Sequence, residues 1–107
     1  MSLFDKFCKN GEPTEYVEAW KVIVSGTVQG VGFRYSVATL ADAMSIPGTV
    51  KNNPDGTVTI VLQANKGKVD EFLKDLPHNL SPFAKITNMK VEKLENVGKL
   101  HSFRVLY

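Results

Sequence analysis

One cysteine, Cys8, stands in the 107 residues, so no disulfide closes within the chain and no thiolate set can hold a metal. A cytoplasmic location is the default expectation for such a chain. Histidine is nearly as scarce. His78 and His101 are not spaced with a carboxylate or thiol as metal ligands are, and both are expected at the surface. No apolar run approaches the ~18 residues that a membrane span needs, and the N-terminus lacks a signal-peptide pattern. Neither sign of charge dominates: 13 Lys and Arg against 11 Asp and Glu leave +2. The lysines are scattered, so no basic stripe for nucleic acid is indicated. There is no internal repeat and no low-complexity segment. A single domain with one core fits this length.

What is present is regular from about residue 20 onward. Residues 1–19 read as an N-terminal extension: Leu3, Phe4 and Phe7 suit a short amphipathic helix that Gly11 and Pro13 interrupt. Trp20 is expected to anchor the beginning of the body, residues 20–107. Val22, Val24, Gly26 and Val28 alternate with Lys21, Ile23, Ser25 and Thr27, which predicts a strand. Phe33, Val37, Leu40, Ala41 and Met44 then fall at helical spacing, closed by Pro47 and Gly48. Thr49–Lys51 and Thr57–Leu62 read as strands joined by Asn52-Asn53-Pro54-Asp55-Gly56, whose residues suit a tight hairpin turn. Val69, Phe72, Leu73 and Leu76 mark a second helix with Asn65 as its N-cap and Pro77 as its stop. Asp70, Glu71, Lys74 and Asp75 give it a solvated face. Lys85–Leu94 and Phe103–Tyr107 complete the strands. The order β-α-β-β-α-β with a short extra C-terminal edge strand is that of a ferredoxin-like α+β sandwich, two helices on one face of an antiparallel sheet.

Because this fold hosts many activities, function has to come from a site. The junction Gly26-Thr27-Val28-Gln29-Gly30-Val31-Gly32-Phe33-Arg34 carries the candidate. Glycines where the chain leaves a strand permit left-handed backbone and a close approach to a ligand. Successive amides and a helix N-terminus make an anion cradle, to which Arg34 adds paired donors matched to phosphate oxygens. The same residues read equally well as a tight turn carrying a solvated arginine. Tyr35 stands where the dinucleotide pattern G-x-G-x-x-G needs a glycine, and no Gly-Lys-Ser/Thr follows, so neither nucleotide motif is met. Gly-Val-Gly-Phe-Arg-Tyr echoes the aromatic strand of an RNA-recognition domain. That motif belongs on the third strand, however, and Thr57–Leu62 has no aromatic residue.

The nine residues GTVQGVGFR resemble the signature of the acylphosphatase family, Gly-x-Val-Gln-Gly-Val-x-Phe-Arg, with every fixed position met. Ile46-Pro47-Gly48-Thr49-Val50-Lys51-Asn52 followed by Asp55-Gly56-Thr57-Val58 resembles the family's second segment, and the likeness runs from about residue 20 to the end. It implies hydrolysis of an acyl phosphate to a carboxylate and inorganic phosphate, with no metal and no cofactor. Arg34 and the loop residues Gln29, Gly30, Val31, Gly32 and Phe33 would bind the phosphoryl group. Asn52, favoured by its register over the neighbouring Asn53, would hold the attacking water. Inorganic phosphate or sulfate would compete at the same loop. The chain departs from the family at Ser45, Thr49 and Lys51 and in Leu80-Ser81-Pro82-Phe83-Ala84, none of which removes a catalytic group.

Two functional classes follow. One is a free-standing hydrolase of small acyl phosphates, expected to be a monomer without nucleic-acid or membrane partners. The other is a non-catalytic module that keeps the anion cradle. The end of the chain directly after the domain favours the hydrolase. Cys8 and Phe33 are expected to be an incidental thiol and a core residue.

Overall fold

Residues 17–107 are described by the computed structural model of the chain. The expected helix around Leu3–Phe7 therefore lies outside the described residues. The elements run β1 (Ala19–Thr27), α1 (Phe33–Ala43), β2 (Gly48–Asn52), β3 (Val58–Leu62), α2 (Lys66–Asp75), a short 3-10 turn (Leu76–Asn79), β4 (Lys85–Leu94) and β5 (Phe103–Leu106). The sheet order is β4-β1-β3-β2-β5. Its first four strands are antiparallel to their neighbours, while β5 lies parallel to β2, with Gly48 opposite Phe103 and Val50 opposite Val105. The ferredoxin-like α+β fold read from the pattern is thus present, and the added strand makes the sheet mixed.

One core explains the layers. Val22, Val24, Val50, Val58, Ile60 and Leu62 face one side of the sheet and meet Phe33, Val37 and Ala41 of α1 and Val69 and Phe72 of α2. Every one of these is 2% exposed or less, so the period-2 and period-3.6 stripes close on each other. Asn65 caps α2 through its Oδ1, which accepts from the Lys68 amide at 2.8 Å. Pro77 sits in the 3-10 turn that ends the helix. The strand alternation fails at one place: β1 shifts register against β4 between Ser25 and Gly26, and Gly26 is exposed rather than buried. Its φ of 130° and the 2.2 Å that would separate a Cβ from the Lys85 carbonyl oxygen admit only glycine at this bulge. Val28, 1% exposed, returns to the core at the mouth of the next loop.

β4 and β5 form opposite edges, so residues 95–102 must cross the end of the sheet. Gln63, 7% exposed, holds them there. Its Nε2 donates to the Gly98 carbonyl at 2.7 Å and its Oε1 accepts from the Leu100 amide at 2.7 Å. Its own amide donates to Pro47 O at 2.8 Å. Replacing a buried amide that bonds two groups of the crossing segment leaves both without their partner, which costs about 1–3 kcal/mol. Gln63→Ala is expected to lose that much in urea unfolding with an unchanged slope. A loss below about 0.5 kcal/mol would mean that the crossing does not depend on this side chain.

Candidate active site

Helices usually begin with Ser, Thr, Asp or Asn, whose side-chain oxygen takes a first-turn amide. Here α1 begins with Gly32, at φ 75° and ψ 16°, with no side-chain cap and no acidic residue in the first turn. Gly30 is also left-handed, at φ 75°. A Cβ at either position would meet nothing within 4 Å, so the glycines answer to backbone conformation and to the space in front of them. The first intrahelical bond is Ser36 N to Gly32 O at 3.1 Å. Among the described residues, no amide from Gly30 to Tyr35 has a protein acceptor. These unpaired donors, together with the positive end of the helix dipole, make an anion cradle.

Arg34 stands in that first turn, half-buried. Its Nη1 donates to the Leu106 carbonyl at 3.0 Å, and its guanidinium carbon lies 4.8 Å from the centroid of the Tyr107 ring. The last strand thus sets the direction of the arginine while using one of its five N–H donors. Asn52 reaches the same place from β2. It shares the inward face with Gly48 and Val50, so strand alternation aims its side chain at the N-terminus of α1. Its Oδ1 is buried and has no hydrogen-bond partner among the described residues. Asn53 points the other way, its Nδ2 donating to Thr57 Oγ1 at 2.9 Å and Thr59 Oγ1 at 2.8 Å. Of the two asparagines only Asn52 reaches the cavity of about 250 Å³ lined by Gly30, Gly32, Phe33, Arg34 and Tyr35, with Val28, Val105 and Tyr107.

The side chains of two residues expected to bind the ligand have partners of their own. The Gln29 side chain does not line the cavity. Its Nε2 donates to the carbonyls of Asn53 and Thr57, both at 2.9 Å, clamping the β2–β3 hairpin to the loop. The Val31 side chain packs against the core, and its carbonyl accepts from Ser81 Oγ at 3.1 Å. The hairpin itself is held by Asp55, whose carboxylate accepts from Thr57 Oγ1 at 2.6 Å and Thr57 N at 3.0 Å. Those bonds, the side-chain one first, keep its pKa below the ordinary carboxylate value. Val28, Val105 and Tyr107 were not legible as site residues; Tyr35 carried only its adjacency to Arg34. His78 and His101 are exposed.

The model of the family described as Acylphosphatase matches residues 20–105. The chain belongs to the acylphosphatase family. It is 43% identical over 88 residues to the acylphosphatase of Ligilactobacillus salivarius, a match covering 82% of this chain and 97% of that one. The crystal structure of the Bacillus subtilis acylphosphatase superposes with a TM-score of 0.76 at 37% identity, covering 84% of this chain and 99% of that chain. The acylphosphatase of Coxiella burnetii does so with a TM-score of 0.74 at 32% identity, covering 87% and 99%. The chain is therefore an acylphosphatase: it hydrolyses acyl phosphates, small-molecule substrates, and nothing in its relatives favours the non-catalytic module. No helix among the described residues is long and apolar enough to cross a membrane.

In this acylphosphatase the clamp of Gln29 acts on the hairpin that carries Asn52. Gln29→Ala is expected to lower stability by about 1–3 kcal/mol, because two hairpin carbonyls lose their donor. It should lower kcat more than it raises KM, since the side chain makes no contact with the cavity. An unchanged kcat would show that Asn52 is held without the clamp.

Proposed function

We propose that the phosphoryl group of the substrate binds the amides between Gly30 and Tyr35 and the guanidinium of Arg34, and that Asn52 orients the attacking water. The observation that carries this reading is the convergence on one cavity of an uncapped helix start, a directed arginine and the Asn52 side chain, whose oxygen has no partner among the described residues. A buried acceptor left unpaired costs about 1–3 kcal/mol, which favours the orientation that turns this oxygen toward the cavity and a water. The amide and carbonyl ends of Asn52 exchange by rotation about χ2, so either can face the cavity.

The chemistry asked of these groups is modest. Phosphoryl transfer is catalysed mainly by positioning and by charge stabilisation. The water oxygen attacks phosphorus in line, and the bond from phosphorus to the acyl oxygen breaks. The carboxylate departs with the bonding electrons and the water proton passes to a phosphoryl oxygen. A carboxylate is a weak base, so no general acid is required. Asn52 is no base near neutral pH; it accepts a hydrogen bond and fixes direction. Arg34 and the helix start supply the positive charge facing the equatorial oxygens, and no step is routed through a metal or cofactor. Phe33, Gly30 and Gly32 shape the cradle. Gln29 and Val31 contribute through their backbone.

The finer attributes belong to the same proposal. The chain works as a monomer in the cytoplasm, residues 1–19 are an extension before a domain spanning 20–107, and inorganic phosphate or sulfate binds the 29–34 loop.

Steady-state hydrolysis of benzoyl phosphate tests the assignment. Arg34→Ala and Asn52→Ala are each expected to lower kcat/KM by about 10²–10³-fold with the circular dichroism spectrum intact. Arg34→Lys should recover little of the loss, because an ammonium lacks the planar fork. Inorganic phosphate should raise the apparent KM and leave kcat unchanged. Either alanine variant retaining wild-type kcat/KM would remove that residue from the mechanism.

A further inference from the structure

Two of the large, exposed hydrophobic side chains of the described residues meet at this one cavity. Tyr35 is 77% exposed and Tyr107 is 95% exposed, yet both line it. Their neighbours in the sequence fix where they stand. Tyr35 follows Arg34 in the first turn of α1, and Tyr107 carries the Arg34 guanidinium 4.8 Å from its ring centroid. The stacking leaves most of the Tyr107 ring open to a ligand.

The cavity lining is of two kinds. Gly30, Gly32, Arg34 and Asn52 offer donors, charge and one acceptor, which suits the phosphoryl group. Val28, Phe33, Val105 and the two tyrosines offer apolar and aromatic surface, for which a phosphate has no use. In an acyl phosphate the acyl group is one bridging oxygen from phosphorus, so it must lie against this second part. The volume, about 250 Å³, is just under the roughly 300–1,000 Å³ usual for drug-sized ligands. It takes a phosphate and one compact group. A planar ring makes face and edge contacts with tyrosines that a methyl group cannot make.

We propose that Tyr35 and Tyr107 form the acyl-group subsite and select acyl phosphates with a flat, aromatic acyl group over acetyl phosphate. This rests on the phosphoryl site assigned to Arg34 and the loop. Both tyrosine side chains determine specificity and make or break no bond; the Tyr107 ring also helps to direct Arg34, so the test reads the ratio of two substrates rather than the rate on one.

The test compares kcat/KM for benzoyl phosphate and acetyl phosphate in the full chain. In Tyr35→Ala and in Tyr107→Leu, the benzoyl-to-acetyl ratio is expected to fall about three- to tenfold, the size of one aromatic contact, and through KM for the benzoyl substrate. Equal losses on both substrates would make the tyrosines props for Arg34 and overturn the proposal, as would a ratio that neither substitution moves. A second measurement does not need turnover. Calorimetric binding of phenacylphosphonate and acetonylphosphonate, in which a methylene replaces the bridging oxygen, should show the same preference and the same loss. A wild-type chain that hydrolyses neither substrate but binds the phenacyl compound more tightly would keep the subsite and remove the hydrolytic site assignment. A chain that hydrolyses both, with the ratio unmoved by either substitution, would do the reverse.

Discussion

Unpaired backbone amides at a helix start are what the rest of this structure serves. Gly30 and Gly32, both at φ 75°, bring the chain out of β1 and into α1 without offering a capping oxygen. A left-handed residue other than glycine costs about 1–2 kcal/mol, and a side-chain cap in place of Gly32 would fill the cradle from within. The helix is therefore less well capped than its length would allow. That deficit leaves the first amides without protein acceptors, and the packing of Phe33, Val37 and Ala41 into the core holds the helix in spite of it.

The other parts of the site reach this helix start by three different routes. Asn52 arrives by strand alternation at the end of β2, on the face that also buries Val50. Arg34 is directed from the far end of the chain, because β5 pairs with β2 and presents the Leu106 carbonyl and the Tyr107 ring. Gln29 ties the hairpin to the loop, so Asn52 and the helix start are held at a fixed distance. The pairing of β5 depends in turn on the crossing segment that Gln63 pins against the end of β3. A hydrolase that relies on positioning needs this rigidity more than it needs reactive side chains.

The sequence was legible where local chemistry and periodicity agree. Val22 and Val24 alternate, Phe33 to Met44 repeat at helical spacing, and Asn65 and Pro77 bound α2, so the elements and the core followed from their residues. The loop glycines and Arg34 read equally well as an anion cradle or as a tight turn with a solvated arginine, and only the likeness to a family signature separated the two. Contacts between residues far apart in the chain were not legible. Nothing local says that Arg34 meets Leu106 across 72 residues, or that the Gln63 amide is used by the 98–100 segment. The clamp made by the Gln29 side chain was hidden for the same reason: nothing local says that hairpin carbonyls 24 and 28 residues away take both its protons. The register slip at Gly26 was hidden because a bulge leaves the apolar pattern nearly intact on both sides of it.

The central claim is that the amides from Gly30 to Tyr35 are held ready for the oxygens of a phosphoryl group. Titration of ¹⁵N-labelled protein with inorganic phosphate, followed by proton–nitrogen correlation spectra, tests it most directly. The account predicts saturable shifts concentrated on those amides and on the Asn52 side chain, and their loss in Arg34→Ala. Saturable shifts clustered elsewhere, with the 30–35 amides unmoved, would contradict it.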